Sequence, residues 1–177
     1  MVAQLLEHRD AVAYGLTVMV TDMLFVELPA MLAKLIGEKQ ATMVLEMLAK
    51  KTAEEGFRHF LEKLSVKPGS LTLREVLEVF VLREGSEPAH PFQRVTRIVE
   101  EDDRITLVVK NGRESPAILA GVIAGVMEAG LGVRTQALAS PATAQHLCHQ
   151  DNPPDYIVYP AGEDRVVVER LKCGKQD

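Results

Sequence analysis

His146, Cys148 and His149 are the residues whose types come closest to a metal site. A thiolate with two imidazoles suits zinc or copper, and Asp151 could add a carboxylate oxygen. In a strand the three side chains would point to opposite faces; in a loop they could converge, and a plain surface loop is the competing reading. Cys173 stands in a charged tail and reads as a bystander. Glu128 is the other group with chemical promise, the sole acid in an otherwise apolar helix. A carboxyl held there could have the tuned pKa that acid–base work requires. It could equally hold the donors of a neighbouring strand or pair with Arg134. The sequence shows no nucleophile elbow, phosphate loop or paired-acid motif, and announces no cofactor, so it points away from an enzyme.

The totals narrow the class. A chain of 177 residues is long enough for a substantial core, and no internal boundary is needed, so 1–177 reads as one domain. A net charge of −5 with mixed signs argues against nucleic acid, whose phosphates call for a basic surface. Two cysteines in no CxxC pair suggest a reducing compartment, no disulfide framework and a cytoplasmic location. The opening MVAQLLEHRD lacks the basic-then-apolar order of a secretory signal. Asp22, Glu27 and Pro29 interrupt the apolar run from Ala11 to Met31, so it falls short of the ~20 residues of a membrane span. With no Trp and few aromatics, the interior must be aliphatic.

These groups need elements to position them. Residues 1–84 read as helical and 93–172 as a sheet that includes one helix at 115–132. A helical pattern runs from Leu5 to Val26, and Pro29 opens a short helix that Gly37 ends. Glu38 to Leu64 follows, with Ala41, Val44, Leu45, Leu48, Phe57, Phe60, Leu61 and Leu64 as its buried stripe. Glu46, Lys50, Glu54, Arg58 and Glu62 alternate in sign at four-residue spacing, which describes an ion-pair ladder on a solvated face. Thr72 and Glu75 make a capping box. After a loop at Gly85–Phe92, strands are expected at Val95–Glu100 and Arg104–Lys110, the second alternating apolar and polar residues. Asn111-Gly112 turns the chain toward the helix. Strands at Val133–Leu138, Tyr156–Tyr159 and Arg165–Leu171 complete the order ααα-ββ-α-βββ. This is the α+β layout, N-terminal helices on an antiparallel sheet with a Gly/Ala-rich central helix.

That central helix carries the strongest signal. Ser115 can cap it, and Pro116 suits its first position. Small residues (Ala117, Ala120, Gly121, Ala124, Gly125, Ala129) fill the spaces between Leu119, Val122, Ile123, Val126 and Met127. Each interior glycine costs about 1 kcal/mol against Ala, so another backbone or a bound molecule should lie close against the helix.

Written as Gly121-x3-Gly125-x2-Glu128-x3-Gly132, and preceded by ELPAMLAKLIGEKQATMVLEMLAKKTAEEGF, the chain resembles the 4-vinyl reductase domain. It is similar also to that domain's relatives among the subunits of the transport-particle (TRAPP) complex. The resemblance implies a homodimer formed through helices, and a hydrophobic cavity that takes a hydrocarbon-like or tetrapyrrole-related molecule. Leu45, Leu48, Phe57, Phe60, Leu119, Gly121, Val122, Gly125 and Met127 would line it, holding a ligand by apolar burial at ~25 cal/mol per Å². The expected role is therefore binding or sensing of an apolar small molecule. The alternatives are a protein–protein adaptor with a filled core, like the transport subunits, and an enzyme or accessory protein of tetrapyrrole metabolism. The family often places two cysteines about eight to ten residues apart after the glycine helix; here Cys148 fits the first position and Tyr156 falls near the second.

Overall fold

A computed structural model describes residues 27–82, 84, 94–110, 116–139 and 146–173. The helix expected over Leu5–Val26, the loop Gly85–Phe92, the Asn111-Gly112 turn and the Ser115 cap lie outside these residues. Three helices come first: α1 (Leu28–Ile36), α2 (Glu38–Lys63) and α3 (Leu73–Glu78). Strands β1 (Val95–Glu101) and β2 (Arg104–Val109) follow, then α4 (Pro116–Leu131), then β3 (Thr135–Ala137), β4 (Tyr156–Pro160) and β5 (Arg165–Arg170). The class is α+β, in the order the sequence implies.

Local chemistry explains the boundaries. Pro29 sits in the first turn of α1, and Gly37 ends that helix by donating its N–H to the Ala33 carbonyl at 3.0 Å. In α3 the Thr72 hydroxyl accepts from the Glu75 N–H while the Glu75 carboxylate accepts from the Thr72 N–H, a complete capping box. The turn at Pro68-Gly69-Ser70 serves a second purpose. The N–H groups of Gly69 and Leu71 donate to the carbonyls of Ala129 and Gly130, each at 3.0 Å, satisfying orphan acceptors at the end of α4.

The five strands run β1-β2-β5-β4-β3 across one sheet. Every pairing is antiparallel except β3 with β4, which is parallel. The sheet is thus mostly antiparallel, as the sequence implies, with one parallel pairing at this edge. Parallel neighbours need a long connection, and residues 138–155 supply it.

Helix α4 packs on β3, β4 and β5 with one side and on α2 with the other. It is thus the middle layer of three, buried from Ala117 through Met127 and again at Ala129 and Gly130. A helix enclosed all round needs no polar face, which accounts for its composition. At Gly121 an added Cβ would lie 2.6 Å from the Glu46 carbonyl oxygen; at Gly125 it would overlap the Lys50 carbonyl and lie 2.8 Å from the Glu54 nitrogen. The close neighbour that the glycines call for is the backbone of α2.

The buried stripe of α2 is shifted from its expected place. Ala41, Leu45, Ala49 and Leu61 are buried, whereas Val44, Leu48, Phe60 and Leu64 are exposed. Contact at backbone distance is made where Ala41 and Ala49 are small, with Leu45 between them on the same side, and Val44 and Leu48 turn outward. Of the charged ladder, Glu54 and Arg58 remain paired at 2.8 Å. Glu46 and Lys50 turn inward, against the expectation of a solvated face.

On the side of the sheet away from α4, Leu147 covers Ile157, Tyr159 and Val167. Arg104 donates to the Tyr159 hydroxyl at 2.7 Å, and that hydroxyl donates to Glu169 at 2.6 Å, tying β2, β4 and β5 together. Burial pushes the Tyr159 hydroxyl pKa up, and its bond to Glu169 adds to this. Cys148, next to Leu147, is joined to Cys173 by a disulfide with the Cα atoms 5.2 Å apart. The expectations of free thiols and of a bystander Cys173 are both corrected. Spacing concealed the pair because the partners lie 25 residues apart and meet only once the 146–149 turn folds over the sheet. The premise for a reducing compartment goes with them.

Two outcomes follow from this packing. Gly125→Ala should cost about 3 kcal/mol or more, because the obstruction is backbone rather than a movable side chain. Gly56→Ala, where nothing lies within 4 Å, should stabilise by about 0.5–1 kcal/mol; urea unfolding of the two variants compares them directly. Replacing Cys148 and Cys173 with Ser should lower stability by roughly 3 kcal/mol on the loop-entropy account, and thiol titration of the unreduced native chain should find no free sulfhydryl.

Candidate functional site

The nine residues expected to line an interior cavity are dispersed. Leu45, Leu119, Val122 and Met127 are core residues in mutual packing, and Gly121 and Gly125 face the backbone of α2. Phe57 is half-buried near Gly130, and its ring stacks on that of Phe60 with centroids 5.9 Å apart. Leu48 and Phe60 are each 51 % exposed.

An open groove lies elsewhere, between α2 and the sheet-edge strand β3, with a volume of about 720 Å³. None of the nine residues lines it. Met43 and Met47 form one wall, Ala137 and Leu138 the other, and Glu46 and Lys50 stand among them. The positions follow from helix geometry. With Ala41, Leu45 and Ala49 against α4, a turn of ~100° per residue places Glu46 and Lys50 beside that contact and carries Met43 and Met47 further round toward the outer side of the helix.

Lys50 closes the inner end. Its Nζ lies 2.5 Å from Glu128 Oε2 and donates to the Thr135 carbonyl at 2.6 Å. The buried Thr135 hydroxyl donates to the Ala124 carbonyl at 2.8 Å and stands 3.1 Å from the same Glu128 oxygen. One lysine therefore ties α2, α4 and β3 together, and Glu128 is committed to it. The ion pair is made with Lys50 and not with the Arg134 considered for Glu128; the Arg134 backbone N–H donates to the Asp155 carboxylate.

Strand β3 offers little free backbone to the groove. Arg134 and Leu138 bond toward β4, so by alternation the groups of Thr135 and Ala137 point to the open edge. Lys50 occupies the Thr135 carbonyl, and the Gln136 side chain donates to the Ala137 carbonyl at 3.1 Å. Such an edge is blunted against strand addition.

Glu46 is the anomaly. It is 5 % exposed, and its Oε1 has no hydrogen-bond partner among the described residues. Burial pushes its carboxyl up to about 7. Sequence reasoning missed it because its charge fits the Lys50–Glu54–Arg58 rhythm. The available signal was the set Ala41, Ala49 and Ala53, small residues that with Leu45 mark the side of α2 facing the glycines of α4 and whose direction brings Glu46 inward.

The metal expectation fares differently from the groove. His146 and His149 are exposed on the short turn 146–149, and the Cys148 sulfur is bonded to Cys173, leaving no thiolate for a metal. Among the described residues no group of three His, Cys, Asp or Glu side chains is placed to hold a metal ion. Nor is any helix of the described residues long and apolar enough to cross a membrane. No family model, curated protein or solved structure matches this chain.

Glu46 gives stability a definite pH dependence. Its folded value near 7 lies above the ordinary 4.5, so the unfolded chain releases this proton first. The contribution is most favourable at low pH, declines as pH rises from the ordinary carboxyl range through about 7, and is flat above. Urea midpoints at pH 5 and pH 8 should show the wild type losing about 1–3 kcal/mol relative to Glu46→Gln. Equal pH dependence in the two proteins would mean that Glu46 is solvated.

Proposed function

We propose that this chain is a binding module for an elongated apolar small molecule, and that the ligand lies in the groove between α2 and β3. The groove itself carries the proposal. Its volume falls in the few-hundred to ~1,000 Å³ range of small-molecule sites, and its walls are mainly apolar with a few convergent polar groups. Two methionines suit a ligand of variable shape, since the unbranched thioether adapts to what it meets. The resemblance to the 4-vinyl reductase domain supports the same ligand class, although the residues it nominated lie in the packed core and at the surface.

A second reading, the adaptor, has its own support. Met31 and Leu35 on α1, with Met43, Val44, Met47 and Leu48 on α2, leave a large apolar surface exposed, Met47 by 69 %. A second copy of the chain joined through these helices would cover it, and native mass spectrometry would report the dimer.

The two readings separate in one titration. Adding 1-octanol to protein with labelled methionine methyls should shift Met43 and Met47 and leave the buried Met127 unmoved. Met47→Glu should weaken the binding at least tenfold by placing charge on the wall. A shift at Met127 instead would place the ligand inside the core, and no shift at any of the three would leave the adaptor.

A further inference from the structure

We infer that the groove receives the ammonium end of an amphiphilic amine, with Glu46 as its counter-charge and Met43, Met47 and Leu138 against its hydrocarbon; this rests on the binding-module reading above. The ionisable groups at the groove decide the sign. Helix α2 contributes Glu38, Lys39, Glu46 and Lys50, α4 contributes Glu128, and β3 contributes none. Glu38 and Lys39 offset each other in charge, and Lys50 is spent on Glu128 and the Thr135 carbonyl. One carboxyl is left over.

That carboxyl is also short of hydrogen bonds. An enclosed acceptor without a donor is costly, and a carboxylate without a cation more so. An ammonium supplies both, three N–H donors and the missing charge. An alcohol supplies one donor and no charge. A fatty carboxylate brings a second anion beside Glu46; of the two lysines lining the groove, Lys50 already has its partners and the charge of Lys39 is offset by Glu38. The expected order of preference is amine, then alcohol, then carboxylate. Since burial holds Glu46 near its midpoint at neutral pH, binding of an ammonium is linked to release of the Glu46 proton.

Octylamine, 1-octanol and octanoate share a chain and differ only at the end, so they isolate this choice. Methionine methyl shifts and calorimetry should show octylamine binding at least tenfold tighter than 1-octanol at pH 8. Its affinity should rise about tenfold between pH 6 and pH 8, as the ionised fraction of Glu46 goes from ~0.1 to ~0.9. Glu46→Gln should erase both the preference and the pH dependence while 1-octanol still shifts Met43 and Met47. If 1-octanol or octanoate binds wild type as tightly as octylamine, or if the variant keeps its preference for the amine, the groove binds apolar chains but the ammonium assignment is wrong. If none of the three moves either methyl, the binding-module reading falls and the assignment with it.

Discussion

Two helix backbones lie in direct contact where α2 crosses α4, and most of the molecule follows from that approach. Gly121 and Gly125 have no room for a single carbon between them and the carbonyls of α2. The distance between the layers is therefore set by main chain, and side chains must accommodate it. On α2 this selects Ala41, Leu45 and Ala49 for the contact and expels Val44 and Leu48. Because α4 also rests on β3, β4 and β5, the crossing fixes where α2 stands relative to β3. The groove is the space left between the two.

Electrostatics complete what packing begins. Lys50 satisfies a carboxylate on α4 and a carbonyl on β3 with one nitrogen. Removing any of the three partners would leave a partly buried polar group unpaired, so the arrangement discriminates against other placements of α2. One turn earlier, Glu46 has the burial without the partners. The contrast between neighbours on the same helix face locates the part of this surface that is left unfinished by the fold, and an unfinished polar group beside an open apolar wall is where a ligand gains most by binding.

Much of the architecture was legible in the sequence because it rests on local rules. The capping box at Thr72 and Glu75, the stop at Gly37, the alternation along β2 and the enclosed character of α4 each need only a few neighbouring residues. The misses share one cause: they depend on partners distant in sequence. Val44 and Leu48 look like core until α4 approaches too closely to admit them. Glu46 looks like a surface charge until the direction of Ala41, Leu45 and Ala49 is fixed by the glycines opposite. The parallel pairing of β3 joins it to a strand that begins only at Tyr156, and Cys148 finds Cys173 only once the 146–149 turn lies over the sheet. The groove itself joins one face of a helix to the edge of a strand 85 residues on, counted from Lys50 to Thr135, a pairing that no local pattern encodes.

The disulfide has a consequence for load. Cys148 and Cys173 enclose both β4 and β5, and β5 is the middle strand of the sheet. Tension applied to the chain on either side of this ring passes from sulfur to sulfur and leaves the enclosed residues slack. A span of 25 residues, roughly 85 Å of extended chain, is thereby withheld from stretching. Two of the three strands that α4 rests upon, β4 and β5, keep their local connectivity when the flanking chain is drawn out, so the covalent ring makes this pair a mechanical anchor for the remainder of the sheet.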